Sequence, residues 1–233
     1  MVHPLEMALR YLFPARCPGC GRIMAASQSL CANCADKLEG NVPGELHLRY
    51  GNTPDTEGSQ DPAERLICVA PFAYTGAVRE MIHRFKFQNQ PRLAEFFGQK
   101  MAETINARFS CRIDAITCVP MRKSSTRRYN PAELLARQVS RALHVPCLPL
   151  LLQKTRDNQV QHLLSAKERQ TNVAGVYQVN RRQTGRVADK AMLLCDDIVT
   201  TGATLAECRQ ALLAAGAASV ICSTAAATPV RND

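Results

Sequence analysis

Residues 192–204 read Met-Leu-Leu-Cys-Asp-Asp-Ile-Val-Thr-Thr-Gly-Ala-Thr, and no other stretch constrains this chain as tightly. A short apolar run leads straight into two adjacent carboxylates, Asp196 and Asp197. A loop of small residues follows (Thr200, Thr201, Gly202, Ala203 and Thr204), and a helix-like stretch begins at Leu205. A buried strand that ends in acids and turns into a helix start is a sugar-phosphate site in outline. The loop's backbone N–H groups and the helix N-terminus suit a phosphate. Gly202 lets the backbone approach an anion closely, and the threonine hydroxyls add donors. The two carboxylates suit sugar hydroxyls or a magnesium-bound diol. A strand-to-helix turn with surface acids is the plain alternative, and the length of the run argues against it. No Gly-Lys-Ser/Thr follows, so this is not a Walker loop, and no G-x-G-x-x-G is present.

The chain has 233 residues, enough for one α/β domain and a small module. With 46% apolar residues, 5% aromatics and no Trp, its core should be aliphatic. The formal charge of +9 is unevenly spread. Residues 1–60 hold 5 Lys/Arg against 6 Asp/Glu, whereas residues 61–233 hold 24 against 14. The positive field of the larger part suits phosphorylated ligands, nucleic acid or an anionic surface, and a solvated basic face is the plain alternative. Glu6 and Arg10 stand where a secretory signal would need an apolar run, so a cytoplasmic location is expected. Residues 211–230 lack charge over a membrane-span length, but Gly216, Ser219, Ser223 and Thr224 interrupt them. They read as a helix ending near Gly216 and a buried strand over 219–224.

Four of the 11 cysteines form two Cys-x-x-Cys pairs, Cys17/Cys20 and Cys31/Cys34. Four thiolates are what a structural zinc takes, and pairing within 18 residues favours zinc over redox dithiols or disulfides. The other seven, such as Cys68, Cys118, Cys195 and Cys222, stand singly in apolar contexts and read as small core residues.

Along the chain, Leu5, Leu9, Leu12 and Phe13 share a helical face ahead of Pro14. The spacing predicts three parts: a helix and zinc module over 1–39, a flexible linker over 40–63, and an α/β domain over 64–233. Strands are expected at 66–70, 114–119 and 192–195, with further short edge strands within 145–151 and 175–179. Helices are expected at 78–87, 92–107 and 132–143, the last with Pro131 in its first turn. Residues 154–172 are polar and basic, and are read as mobile. Strand–helix alternation implies a mostly parallel sheet with helices on both faces. Ligands in such sheets sit at the carboxyl ends of strands. The acid pair should meet a basic loop there, with Arg122, Lys123, Arg127 and Arg128 following Val119-Pro120. Tyr129, beside these arginines, is the best candidate for stacking on a base, and packing on the core is the simpler reading.

The run at 192–204 resembles the phosphoribosyl pyrophosphate (PRPP) signature of type I phosphoribosyltransferases. The order of parts as a whole is similar to the ComF family, phosphoribosyltransferase-like proteins associated with natural competence. The matching pieces are residues 12–20, 82–87, Val119-Pro120, 127–130 with 132–136, Lys154-Thr-Arg156 with Gln161 and Leu163, 169–172, and the signature. Two departures stand out. No further Cys pair occurs in 41–63, so one zinc is expected, and the family's Arg-Gly-Phe-Asn-Gln is here Arg127-Arg128-Tyr129-Asn130-Pro131.

The resemblance implies a type I phosphoribosyltransferase-like fold with a small N-terminal four-Cys zinc module, Cys17, Cys20, Cys31 and Cys34 being the ligands. It implies that Asp196 and Asp197 hold the ribose hydroxyls, directly or through Mg²⁺, and form the catalytic pair if transfer occurs. Thr200, Thr201, Gly202, Ala203 and Thr204 would cradle the 5-phosphate, and Arg122 and Lys123 would meet the pyrophosphate. Three functions are compatible with the residues. The first is a PRPP-binding protein serving uptake of single-stranded transforming DNA, with competence or DNA-processing proteins as partners. The second is a working glycosyltransferase that moves the pentosyl group of PRPP in nucleotide metabolism or salvage. The third is a zinc-containing nucleic-acid-binding protein with a vestigial PRPP site; against it, the zinc module is not basic and aromatics are few.

Overall fold

The computed structural model describes residues 14–38, 40–41, 44–49, 65–121, 126–155 and 176–229. The expected N-terminal helix, Arg122, Lys123 and most of the stretch read as mobile lie outside the described residues. In chain order the elements are α1 (Ala32–Asp36), β1 (Gly44–Arg49), β2 (Arg65–Ala70), β3 (Phe72–Ala73), α2 (Gly76–Phe87) and α3 (Leu93–Arg108). They continue with β4 (Ala115–Cys118), α4 (Pro131–Leu143), β5 (Leu152–Lys154), β6 (Tyr177–Val179), a 3-10 turn (Arg181–Arg186), β7 (Ala191–Val199), α5 (Ala203–Ala214) and β8 (Ser219–Ala227).

The main sheet runs β1-β2-β8-β7-β4, with β3 also on β8. Every pairing is parallel except β1 with β2, which lies antiparallel at the edge. Alternate side chains of β7 enter two cores. Leu193 and Cys195 join the cluster that packs α2, α3 and α4, whereas Met192 and Leu194 join the cluster that packs α5. Helices on both faces follow from this alternation, because a strand buried twice needs cover twice. A fully buried side chain such as Phe85, Phe97 or Leu135 contributes roughly 1.5–3 kcal/mol through its burial.

Helix α4 shows how local signals set an element. Its buried face is Ala132, Leu135, Ala136 and Val139, at helical spacing. Asn130 caps it by accepting from the Ala132 N–H at 3.1 Å, and Pro131 occupies the first turn as expected. His144 ends it in the left-handed region at φ 55°.

Three expectations change in form. The stretch read as a linker contains β1, which pairs over its whole length with β2. The strand expected near 175–179 exists as β6, but it pairs antiparallel with β5 in a separate two-stranded sheet rather than on the main one. The stretch 145–151 holds only an isolated bridge, Cys147 to Ile116, and the strand forms just after it as β5. Two prolines, Pro146 and Pro149, deprive this stretch of ladder donors. Of the seven single cysteines, Cys68, Cys118, Cys195, Cys208 and Cys222 are buried, Cys147 is half-buried, and Cys111 is exposed. Burial pushes the Cys68 thiol up to about 12, and those of Cys195, Cys208 and Cys222 well above the ordinary range, so they stay neutral. Within the uncharged stretch, residues 211–227 are the end of α5, a turn at Gly216 (φ 94°) and β8, and no helix among the described residues is long and apolar enough to cross a membrane.

Candidate functional site

The site exists because β7 outlasts its neighbour. Strand β4 ends at Cys118, paired with Cys195, and the Val119 N–H makes a last bond to the Cys195 carbonyl at 3.0 Å. Strand β7 continues to Val199 with only β8 beside it, so Asp196 and Asp197 emerge past the end of β4. The expectation that β4 neighbours the signature strand holds. The chain leaving β4 at Val119 and Pro120 forms the opposite wall of a cavity of about 580 Å³. Lys86, Phe87, Arg127, Tyr177, both acids and Thr204 also line it.

Successive residues of a strand face opposite ways, so the two acids have different surroundings. Asp197 is buried, and its Oδ1 lies 2.7 Å from the Lys86 Nζ at the end of α2. Asp196 is half-buried, and its carboxylate accepts the Asp197 N–H at 2.8 Å. Burial and then the charge of Asp197 push the Asp196 carboxyl well above the usual carboxylate range, with the Asp197 N–H, Lys86 and Arg127 pulling the other way. Ionising Asp196 beside Asp197 thus depends on the nearby cations, and the hydroxyl donors of a sugar diol would stabilise the carboxylates further.

The loop after β7 folds into a second, smaller hollow of about 50 Å³ lined by Thr200, Thr201, Gly202, Ala203 and Thr204 together with Asp196. Gly202 is the N-cap of α5 at φ 79°, a left-handed conformation that favours glycine. The Thr201 hydroxyl oxygen accepts the Ala203 N–H at 3.4 Å, and Ala203 and Thr204 form the first turn of the helix. Thr200, Thr201 and Thr204 are exposed. The loop thus offers open backbone and hydroxyl donors at the N-terminus of a twelve-residue helix, a fit for a phosphate.

Sequence reasoning missed Lys86, Phe87 and Tyr177 as lining residues and put less weight on Arg127 than on Arg122 and Lys123. The Arg127 guanidinium lies over the Phe87 ring, 4.7 Å from its centroid. Residues 82–87 were among the family-like pieces, and that was the available signal. Tyr129 packs rather than stacks on a ligand: its hydroxyl donates to the Phe85 carbonyl and its ring lies 5.7 Å from the Phe85 ring.

The four thiols Cys17, Cys20, Cys31 and Cys34 converge, with all sulfurs within 4.8 Å of one another and Cys20 to Cys31 at 3.6 Å. Tetrahedral thiolate zinc, with Zn–S bonds of about 2.3 Å, spaces its sulfurs by about 3.8 Å, so the residues fit that ion. Burial alone would raise the Cys17 thiol, but N–H groups from Cys31, Cys20 and Gly19 outweigh it and bring it down to about 7. Gly19 sits tightly here, because a Cβ would stand 3.1 Å from the Cys34 sulfur and 3.2 Å from Met81, and those side chains would have to give way. The module is seated on the large domain: Leu30, Leu38, Cys17 and Cys34 share the core of α2, and Arg84 donates to the Gly19 carbonyl.

The phosphoribosyl transferase domain family matches residues 129–233, and the double zinc ribbon domain family matches residues 8–68. The DNA utilization protein YhgH of Escherichia coli K12 is 31% identical over 210 residues, covering 88% of this chain and 86% of that protein. This chain belongs to the ComF family. Competence protein F of Haemophilus influenzae is 30% identical over 214 residues, 84% of this chain and 89% of that protein. Competence protein ComFC of Bacillus subtilis is 24% identical over 210 residues, 89% of this chain and 75% of that protein. Among solved structures, the glutamine PRPP amidotransferase from B. subtilis in complex with ADP and GMP aligns with a TM-score of 0.44 at 20% identity. It covers 62% of this chain and 30% of its own. In this ComF-family protein the zinc ribbon match and the four-Cys cluster together support structural zinc. Within 8–68 the remaining cysteine is Cys68, a core residue of β2.

Proposed function

We propose that this protein binds PRPP with Mg²⁺ at residues 196–204 and serves the handling of single-stranded DNA during uptake into the cytoplasm. The observation that carries the first half is the acid pair opening into a 580 Å³ cavity beside a phosphate-sized loop at a helix N-terminus. In this reading Asp196 and Asp197 hold the ribose hydroxyls, and Thr200, Thr201, Gly202, Ala203 and Thr204 receive the 5-phosphate. Lys86 and Arg127 meet the pyrophosphate, joined by Arg122 and Lys123. Asp196 and Asp197 would hold Mg²⁺, which when bound would offset phosphate charge. The second half draws on the relatives named for DNA utilization and competence, and on the basic field of residues 61–233. Partners among other DNA-processing proteins belong to the same reading.

A calorimetric titration with PRPP and Mg²⁺ tests the site. Saturable binding that Asp197→Asn weakens at least about tenfold, with the fold intact, is the expected result. Equal affinity in the variant removes the assignment of the acid pair.

Pentosyl transfer from PRPP to a nitrogen nucleophile is the second reading, favoured by Phe87 and Tyr177 in the cavity wall, where a planar acceptor could lie. Pyrophosphate release that depends on one particular base or amine would select it.

A further inference from the structure

The acid pair already has a cation. Lys86 reaches Asp197 at 2.7 Å, and both side chains are largely shielded, at 15% and 12% exposure. A divalent ion binding that carboxylate would need an oxygen at roughly 2.1 Å, within the space the ammonium now fills. The helix cannot easily carry Lys86 away. Arg84 fastens α2 to the Gly19 carbonyl of the zinc module, the Phe85 side chain is fully buried, its carbonyl accepts the Tyr129 hydroxyl, and the Phe87 ring lies beneath Arg127. What can move is the lysine side chain, a flexible stem with a point charge that bonds equally well to phosphate oxygens.

We propose that Lys86 is a built-in counter-cation of the acid pair: it keeps free divalent ions out of the empty site and gives way only to an ion that arrives with the phosphates of the sugar ligand. The proposal rests on the reading of Asp196 and Asp197 as the metal-diol pair. Charge balance leads to it. Asp197 in contact with Lys86, and Asp196 and Arg127 lining the same cavity, make a site close to neutral, and a bare dication gains little there. A polyphosphate ligand brings several negative charges, gives Lys86 a new partner, and leaves the carboxylates free for the ion. Metal and sugar phosphate then bind together rather than in turn, so the protein does not hold idle Mg²⁺.

The test is Mn²⁺ alone, titrated into zinc-loaded full-length protein and followed by the paramagnetic resonance of the free ion. Wild type should show no saturable binding that depends on Asp197. Lys86→Met should gain a site of about tenfold or greater affinity, lost again when Asp197→Asn is added, and Lys86→Arg should restore exclusion. Lys86→Gln takes the place of the methionine variant if that one fails to give a native circular dichroism spectrum. Wild type that binds Mn²⁺ alone through Asp197 overturns the proposal without any lysine variant. So does a folded Lys86→Met or Lys86→Gln that binds no more tightly than wild type. Failure of wild type to bind PRPP with Mg²⁺ would instead sink the functional reading, and the comparison with Mn²⁺ alone would still stand.

Discussion

The Asn130 side-chain amide donates to the Val119 carbonyl at 3.0 Å while its oxygen caps α4 through the Ala132 N–H. One side chain thus ties the end of β4 to the start of α4 across the loop that walls the cavity. Asn130→Ala removes both bonds. It should lower stability by about 1–2 kcal/mol in urea unfolding and weaken PRPP binding as the loop loosens. Unchanged stability would mean that the loop is held by other contacts.

Helices α3 and α4 cross at Gly98. A Cβ there would meet the Gln138 Cβ at 2.4 Å, a separation that two carbon atoms do not tolerate. Gly98→Ala should therefore destabilise the protein by about 1–3 kcal/mol although alanine is the better helix former, and the urea midpoint measures it. A gain in stability would show that the helices separate freely.

Much of this arrangement was legible in the chain. The run 192–204 foretold a strand, a turn and a helix start, because apolar residues, acids and small residues change over at fixed positions there. Pairing of β4 with β7 followed from strand–helix alternation. Lys86 was not legible as a site residue, because helical spacing shows only that it leaves the apolar face of α2, and the Asp197 partner is more than a hundred residues away. Strand β1 was hidden by its Gly- and Pro-rich surroundings, although Glu45-Leu-His-Leu-Arg49 alternates with the period of a strand. The separate β5–β6 sheet was hidden because a three-residue strand carries too little pattern to name its partner.

Cys17→Ser should remove zinc and stability together. Its sulfur is buried in the core that the module shares with α2, so the loss should spread to the thermal midpoint of the whole protein. Metal content by plasma emission and a melting curve measure both. Full zinc content in the variant would point to redox thiols instead.

Asp114 starts the β4–β7 ladder, accepting the Ala191 N–H at 3.0 Å and pairing with Arg112 at 2.7 Å. The Ala191 N–H, ahead of the nearby Arg112 and Lys190 charges, holds its carboxyl below the usual range. A depressed folded-state value stabilises the protein above the unfolded value and is lost as pH falls through the folded one. Asp114→Ala should thus melt earlier than wild type at neutral pH, and the gap should close as the buffer is taken below pH of about 4. A gap that is constant down to the acid limit would refute the contribution of this charge.

The most direct test of the central claim is a crystal structure of the protein with PRPP and Mg²⁺. The ribose hydroxyls should lie at Asp196 and Asp197, with the 5-phosphate in the loop from Thr200 to Thr204 and Lys86 turned from Asp197 toward the pyrophosphate. Ligand density elsewhere, or an unchanged Lys86–Asp197 pair beside an empty loop at saturating ligand, would contradict the account.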